Sequence, residues 1–117
     1  MHEASLAVRM VRIACDAAAD QPGTVTAVTV VVGELSGIVP GALHSAFALL
    51  KRGTRVEQAR LIIEPEPARA RCSACGVEYA VGGFPCACPA CGSQAFAIVA
   101  GEDFSVKALE LRREERE

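Results

Sequence analysis

The sequence predicts an α/β fold interrupted by a metal-stapled insert. Helical and strand-like segments alternate up to Pro67, five of the six cysteines then fall between positions 72 and 91, and another strand-like segment follows them. A lone strand buries nothing by itself. The last segment must therefore return to the sheet begun before the cysteines, which makes residues 69–101 an insertion between two strands of one unit. The expected division is 1–68 with 102–117 as the α/β domain, and 69–101 as a zinc-ribbon-like subdomain.

Residues 4–20, ASLAVRMVRIACDAAAD, place Leu6, Met10, Ile13 and Ala17 on one helical face and Arg9, Arg12, Asp16 and Asp20 on another. Gln21, Pro22 and Gly23 end this amphipathic helix. From Thr24 to Val31 every residue but Ala27 is β-branched, which reads as a largely buried strand. Gly33 and Gly37 bracket a turn. Pro40 suits a first helical position, and Leu43, Phe47 and Leu50 follow at helical spacing to about Lys51, with Gly53 as the stop. RLIIEPE is a short strand that Pro65 and Pro67 terminate. In DFSVKALEL, Phe104 and Val106 switch parity against Leu109 and Leu111, so this last strand accommodates a bulge. The terminal RREERE reads as a solvated end.

Composition narrows the function. The chain of 117 residues fits one domain, or one small domain with a stapled subdomain, and is 51% hydrophobic with 4% aromatics and no Trp. Ala, Val and Leu must fill its interior. A net charge of -2 and a pI near 5.7 oppose a nucleic-acid footprint. No apolar run approaches the ~20 residues of a membrane span, and no basic, then apolar leader opens the chain, so a cytoplasmic protein without membrane association is expected.

Cys72-Ser-Ala-Cys75 and Cys88-Pro-Ala-Cys91 are two CxxC knuckles, each followed by a glycine, Gly76 or Gly92. Two intervening residues let both sulfurs of a knuckle reach one ion while turn amides donate to them, and the glycine permits a positive φ. Four thiolates close a tetrahedron, so the expected ion is structural Zn(II) rather than catalytic zinc. Competing readings are a redox dithiol or inert buried thiols. Residues 69–101 hold five of the ten glycines and little apolar periodicity, a composition that needs such a staple. Cys86 offers a fifth thiol, read as a packed small residue or as a substitute ligand after oxidation. Cys15 reads as core.

Catalysis finds no constellation. His2-Glu3 begins an HExxH motif, but position 6 is Leu6; the other histidine, His44, reads as a surface or half-buried helix residue. At the N-terminus, a free amine, the His2 amide and the His2 imidazole could close adjacent chelate rings around Ni(II) or Cu(II). A solvated tail with an incidental histidine competes with that reading.

MHEASL, VVGELSGIVPGAL, KRGTRVEQARL, the CSACG and CPACGS knuckles and FSVKALEL, in this order over nearly the whole length, resemble the HypA/HybF hydrogenase maturation proteins. The resemblance implies a nickel metallochaperone: two helices on a three-stranded sheet, with an inserted zinc subdomain held by two CxxC pairs. It implies nickel bound at the N-terminus through His2, with backbone nitrogens from Met1 onward and Glu3 nearby. It further implies a HypB-type GTPase and the hydrogenase large-subunit precursor as partners, urease maturation in some organisms, and metal delivery without chemical turnover. Histidine is too bulky behind Met1 for methionine removal to be expected, which keeps the amine one residue from the imidazole. Arg9 and Arg12, near the first turns of the first helix, are candidate GTPase contacts. The plain alternative is a zinc-ribbon interaction module that binds no nickel.

Overall fold

The computed structural model describes residues 2–113. In chain order its elements are α1 (His2–Ala18), β1 (Thr24–Gly33), α2 (Pro40–Leu50), β2 (Arg60–Glu66), β3 (Arg69–Cys72), β4 (Glu78–Ala80), β5 (Phe96–Ala100) and β6 (Phe104–Arg112). The strands form two three-stranded sheets, ordered β2-β1-β6 and β4-β3-β5. Two helices and the first sheet are the α/β arrangement expected. Two compact units divide the chain: residues 1–31, 38–64 and 105–117 form one, and residues 32–37 and 65–104 the other. Among the described residues, no helix is long and apolar enough to cross a membrane.

In the first unit α1 packs on α2. The buried face of α1 is Leu6, Ala7, Met10, Val11, Ala14 and Ala18, rotated from the expected stripe. Ile13 is 45% exposed and Ala17 is exposed as well. The alanines explain the rotation, since small side chains let a second helix approach closely and Ile13 would hold it off. Leu43 and Phe47 of α2 are buried as expected, whereas Leu50 is 38% exposed, because the helix ends at that residue. Cys15, expected in the core, is half-buried.

The strands follow their side-chain chemistry. Val25, Ala27, Val28, Val30 and Val32 of β1 are buried. In β6 the alternation of exposure breaks at Lys107 and Ala108, both exposed, where the sequence switches parity. Lys107 Nζ lies 2.7 Å from Glu64 Oε1, and Thr26 Oγ1 lies 3.1 Å from Glu110 Oε1. Strand β2 runs through Pro65 to Glu66, which an edge strand tolerates because one side of its ladder needs no donor.

The second unit is more regular than its composition suggested. Strand β3 pairs antiparallel with β4, Ala70 opposite Tyr79, and with β5, Cys72 opposite Phe96. Ala68, Ala70, Cys72, Tyr79, Val81 and Cys88 form a small core, with Leu35, Cys86, Phe96 and Ile98 packed on it. Strands of three to five residues are too short to display a period of two. Backbone crowding ties the segments of this unit together. Gly33 N–H donates to Asp103 O at 2.8 Å, Leu35 N–H to Gly101 O at 2.7 Å and Glu34 N–H to Glu66 O at 2.9 Å. The Glu34 carboxylate accepts from Ala68 N–H at 2.8 Å and that of Glu66 from Gly101 N–H at 3.1 Å. Gly101 has φ +97, and a Cβ there would lie 2.5 Å from Ala68 Cα, so only glycine fits.

Candidate metal sites

The two knuckles fold as near copies of each other. Gly76 N–H donates to Cys72 O at 2.9 Å and Gly92 N–H to Cys88 O at 2.8 Å. Both glycines carry positive φ, 80 and 79. Within each turn backbone amides point at the first sulfur, among them Ala74 N–H at Cys72 Sγ and Ala90 N–H at Cys88 Sγ, each at 3.4 Å. The sulfurs then meet in pairs, Cys72 with Cys91 and Cys75 with Cys88, both 3.6 Å apart, and all four lie within 4.8 Å of one another. Zn–S bonds of about 2.3 Å at tetrahedral angles separate sulfurs by about 3.8 Å, so the set matches a four-thiolate zinc site.

The cluster is anchored from one side. Cys72 and Cys88, the first cysteine of each knuckle, are buried in the core of the unit, whereas Cys75 and Cys91 are exposed. Charge follows this division. Amides of Cys75 and Ala74 hold the Cys72 thiol down to about 6 against its burial. Burial opposes the Cys88 thiolate, but the Cys91 and Ala90 amides outweigh it and lower that group too. The Val77 amide favours a Cys75 thiolate, yet the sulfurs of Cys88, Cys72 and Cys91, with burial, push it up to about 12. Cys91 also rises: the Ser93 amide is outweighed by Cys72, burial and Cys88. The anchored sulfurs thus favour the thiolate form more than the exposed pair does, and a divalent ion would draw all four to that form. Cys86 stands outside this set. It is half-buried, with its Sγ 4.0 Å from the Tyr79 hydroxyl.

Of the three expected nickel residues, Met1 lies outside the described residues. His2 opens α1 and is exposed; Glu3 follows it in the first turn. Glu3 Oε2 accepts the Val39 backbone N–H at 3.0 Å, and this bond holds its carboxyl below the usual carboxylate range. Val39 is the N-cap of α2 and brings no side-chain cap of its own. The carboxylate on α1 takes the N-cap N–H of α2, the donor that an acid at the third helical position would take in a capping box and that Ala42 cannot. His44 is exposed on α2.

At the other end of the pair, Arg55 reaches back from the loop after α2. Its guanidinium donates to Ala18 O at 2.8 Å, Gln21 O at 2.5 Å and Gly23 O at 3.0 Å. The start of α2 therefore lies by the start of α1, and the segment after α2 lies by the end of α1. The two helices run parallel, with like poles together, an arrangement that their dipoles oppose. A carboxylate at the positive ends and a guanidinium at the negative end of α1 offset that repulsion. Both residues lie in stretches that carried the family resemblance, MHEASL and KRGTRVEQARL, but no local signal in the sequence reveals that either caps another element.

Comparison with known proteins agrees with the fold. The sequence profile of the HypA family, described as hydrogenase/urease nickel incorporation metallochaperone, matches residues 1–111. The hydrogenase maturation factor HypA of Geobacter metallireducens is 43% identical over 111 residues, covering 95% of this chain and 99% of that protein. The factor of the same name from Aquifex aeolicus is 38% identical over 112 residues, covering 95% and 97%. Among solved structures, a solution structure of HypA protein matches with a TM-score of 0.75 at 25% identity, covering 97% of this chain and 98% of that one. The solution structure of the Ni metallochaperone HypA from Helicobacter pylori matches in fold with a TM-score of 0.69 at 23% identity, covering 96% and 98%. A profile match over nearly the full length, together with relatives of this identity and coverage, shows that the chain belongs to the HypA family of hydrogenase/urease nickel-incorporation metallochaperones.

Proposed function

We propose that this chain takes up Ni(II) at its N-terminus, through the Met1 amine, the His2 amide and the His2 imidazole with Glu3 beside them, and passes it to the nickel-iron hydrogenase large-subunit precursor. The observation that carries the reading is the exposed His2 at the first position of α1 in a chain of this family. The first amides of a helix have no intrahelical acceptor, so a metal that replaces the His2 amide proton breaks no ladder bond. Square-planar nitrogen donors suit Ni(II). The protein acts by binding and release, without catalytic turnover, and works in the cytoplasm.

Cys72, Cys75, Cys88 and Cys91 hold Zn(II), which supplies folding energy to the second unit and no open position for a substrate. A HypB-type GTPase and the precursor are the partners, with urease maturation proteins as a further client in some organisms. Arg9 and Arg12, exposed on α1, are the contacts to test first; reversing both charges should weaken GTPase pull-down while zinc content stays unchanged.

The deciding experiment titrates nickel into tag-free protein with zinc measured in parallel. His2→Ala should abolish specific nickel binding with zinc and fold intact. Adding Gly-Ser before Met1 keeps His2 but moves the amine two residues away, and nickel affinity should fall. Wild-type affinity in the extended protein would exclude the amine as a ligand. Zinc binding without any nickel binding would favour a plain zinc-ribbon interaction module.

A further inference from the structure

We infer that Glu3 serves nickel binding as a positioning residue, by fastening the first turn of α1 to the N-terminus of α2 through Val39, rather than by placing its carboxylate on the metal. This rests on the N-terminal nickel reading above and deepens it. Three observations carry it. The Glu3 carboxylate accepts the Val39 N–H at 3.0 Å across 36 positions of sequence. Val39 is the N-cap of α2 without a side-chain cap, so the carboxylate there serves the helix as well as the turn. The helices run parallel, and the carboxylate is the negative group at their paired positive ends.

The consequence concerns His2. A chelate built on a terminal amine, an amide and an imidazole has few ligands, and the first residue of a helix frays unless something holds it. The next residue in the chain is held here by a bond to another element. That bond fixes the turn on which the His2 nitrogens sit, as an outer-shell partner fixes a metal-bound histidine in other sites. Moving the carboxylate onto the metal would uncap α2 and leave the like helix poles facing each other.

The two roles of Glu3 predict opposite outcomes for two substitutions. Glu3→Gln keeps an oxygen that can accept the Val39 N–H but is a much poorer metal ligand. Val39→Pro removes the donor and leaves the Glu3 carboxylate intact; its φ of -91 lies near the proline range, and the first turn of α2 already begins with Pro40. Nickel affinity would be measured by isothermal titration in zinc-loaded, tag-free protein, with the ligand-field spectrum of bound nickel as a second readout. Under the positioning role, Glu3→Gln stays within about threefold of wild type with an unchanged spectrum. Val39→Pro and Glu3→Ala each lose affinity by about 10–100-fold, the range for losing an outer-shell partner, and the double variant loses no more than either.

Loss in Glu3→Gln together with a shifted spectrum and wild-type affinity in Val39→Pro would overturn the inference and make the carboxylate a ligand. Far-UV circular dichroism checks folding. If Val39→Pro fails to fold, Glu3→Gln against Glu3→Ala decides alone, since equal loss in both refutes positioning. His2→Ala separates the layers: wild-type nickel affinity in that variant would overturn the N-terminal reading and this inference with it, whereas loss there leaves the Glu3 pair to decide.

Discussion

Arg55 offers the sharpest test of how the helix pair is held. Its guanidinium donates to three carbonyls at and beyond the end of α1, Ala18, Gln21 and Gly23. The last turn of α1 contains no basic residue of its own. Hydrogen bonds from a charged donor contribute about 1.5–3 kcal/mol each where water is excluded. The bonds to Ala18 and Gly23 are partly buried and that to Gln21 is exposed, so the freed carbonyls would largely regain water in Arg55→Ala. The net loss should be close to one full bond, about 2 kcal/mol, including the favourable charge at the C-terminus of α1. At about 4 °C per kcal/mol for a chain of this size, the midpoint of thermal unfolding should fall by roughly 8 °C.

Arg55→Lys sharpens the prediction, because an ammonium keeps the charge but cannot span three carbonyls with a planar fork. It should recover about half of the loss, roughly 1 kcal/mol. The assay is urea unfolding followed by far-UV circular dichroism, which reports on the two helices, with zinc content checked in each variant. A loss in Arg55→Ala below about 0.5 kcal/mol, the level of an ordinary surface substitution, would refute the clamp. Full recovery by lysine would show that charge, and not the fork, does the holding.

Other predictions concern the sulfur cluster, the backbone crossing and the acid limit. Zinc per chain should fall sharply in Cys88→Ser and hardly at all in Cys86→Ser, and the reverse would place the second knuckle on the wrong cysteine. Gly101→Ala should destabilise far more than Gly76→Ala: both have positive φ, but only at Gly101 does a Cβ collide with backbone, so equal chemical-denaturation midpoints would count against the crowded crossing. The Glu3 carboxyl is lowered in the folded chain, so its stabilisation is present above the ordinary carboxylate range and is lost as pH falls through the folded value. Glu3→Gln should remove that part of the acid dependence, and an unchanged acid-unfolding curve would argue that the Val39 bond contributes nothing.

Much of this architecture was legible because it is written locally. The β-branched run at Thr24–Val31, Pro40 ahead of a helical apolar series and the paired CxxC knuckles each act over a few residues, and each appears where its chemistry places it. What escaped depends on distant partners. The buried face of α1 is set by α2, so counting apolar residues favoured Ile13 over Ala14, although alanine is what a close helix contact requires. The sheet of the second unit escaped because its strands are very short and two of its core positions, Cys72 and Cys88, are also knuckle cysteines. The family resemblance places Glu3 beside nickel and gives Arg55 no role, because the partner of each charge lies on a distant stretch of sequence. Only the parallel packing of two helices turns them into caps.

The same packing bears on how one chain could hold two metals on different terms. A four-thiolate site anchored by two core cysteines satisfies a zinc ion completely, and releasing that ion would cost the second unit its staple. The proposed nickel site has opposite physics. It sits at the positive end of a helix, where a cation is disfavoured by about 0.3–1 kcal/mol at an exposed position, and the Glu3 carboxylate offsets this only while it stays near. Amide deprotonation supplies the remaining negative charge, so return of that proton weakens the site and frees the metal. Nickel held in this way leaves by reprotonation of one backbone nitrogen, with no element of the fold undone. A mutation that added a ligand and left Glu3 in place, such as Ser5→His one turn along the exposed face from His2, should therefore raise nickel affinity and slow transfer to a chelator. Faster transfer from such a variant would break the link between weak ligation and delivery.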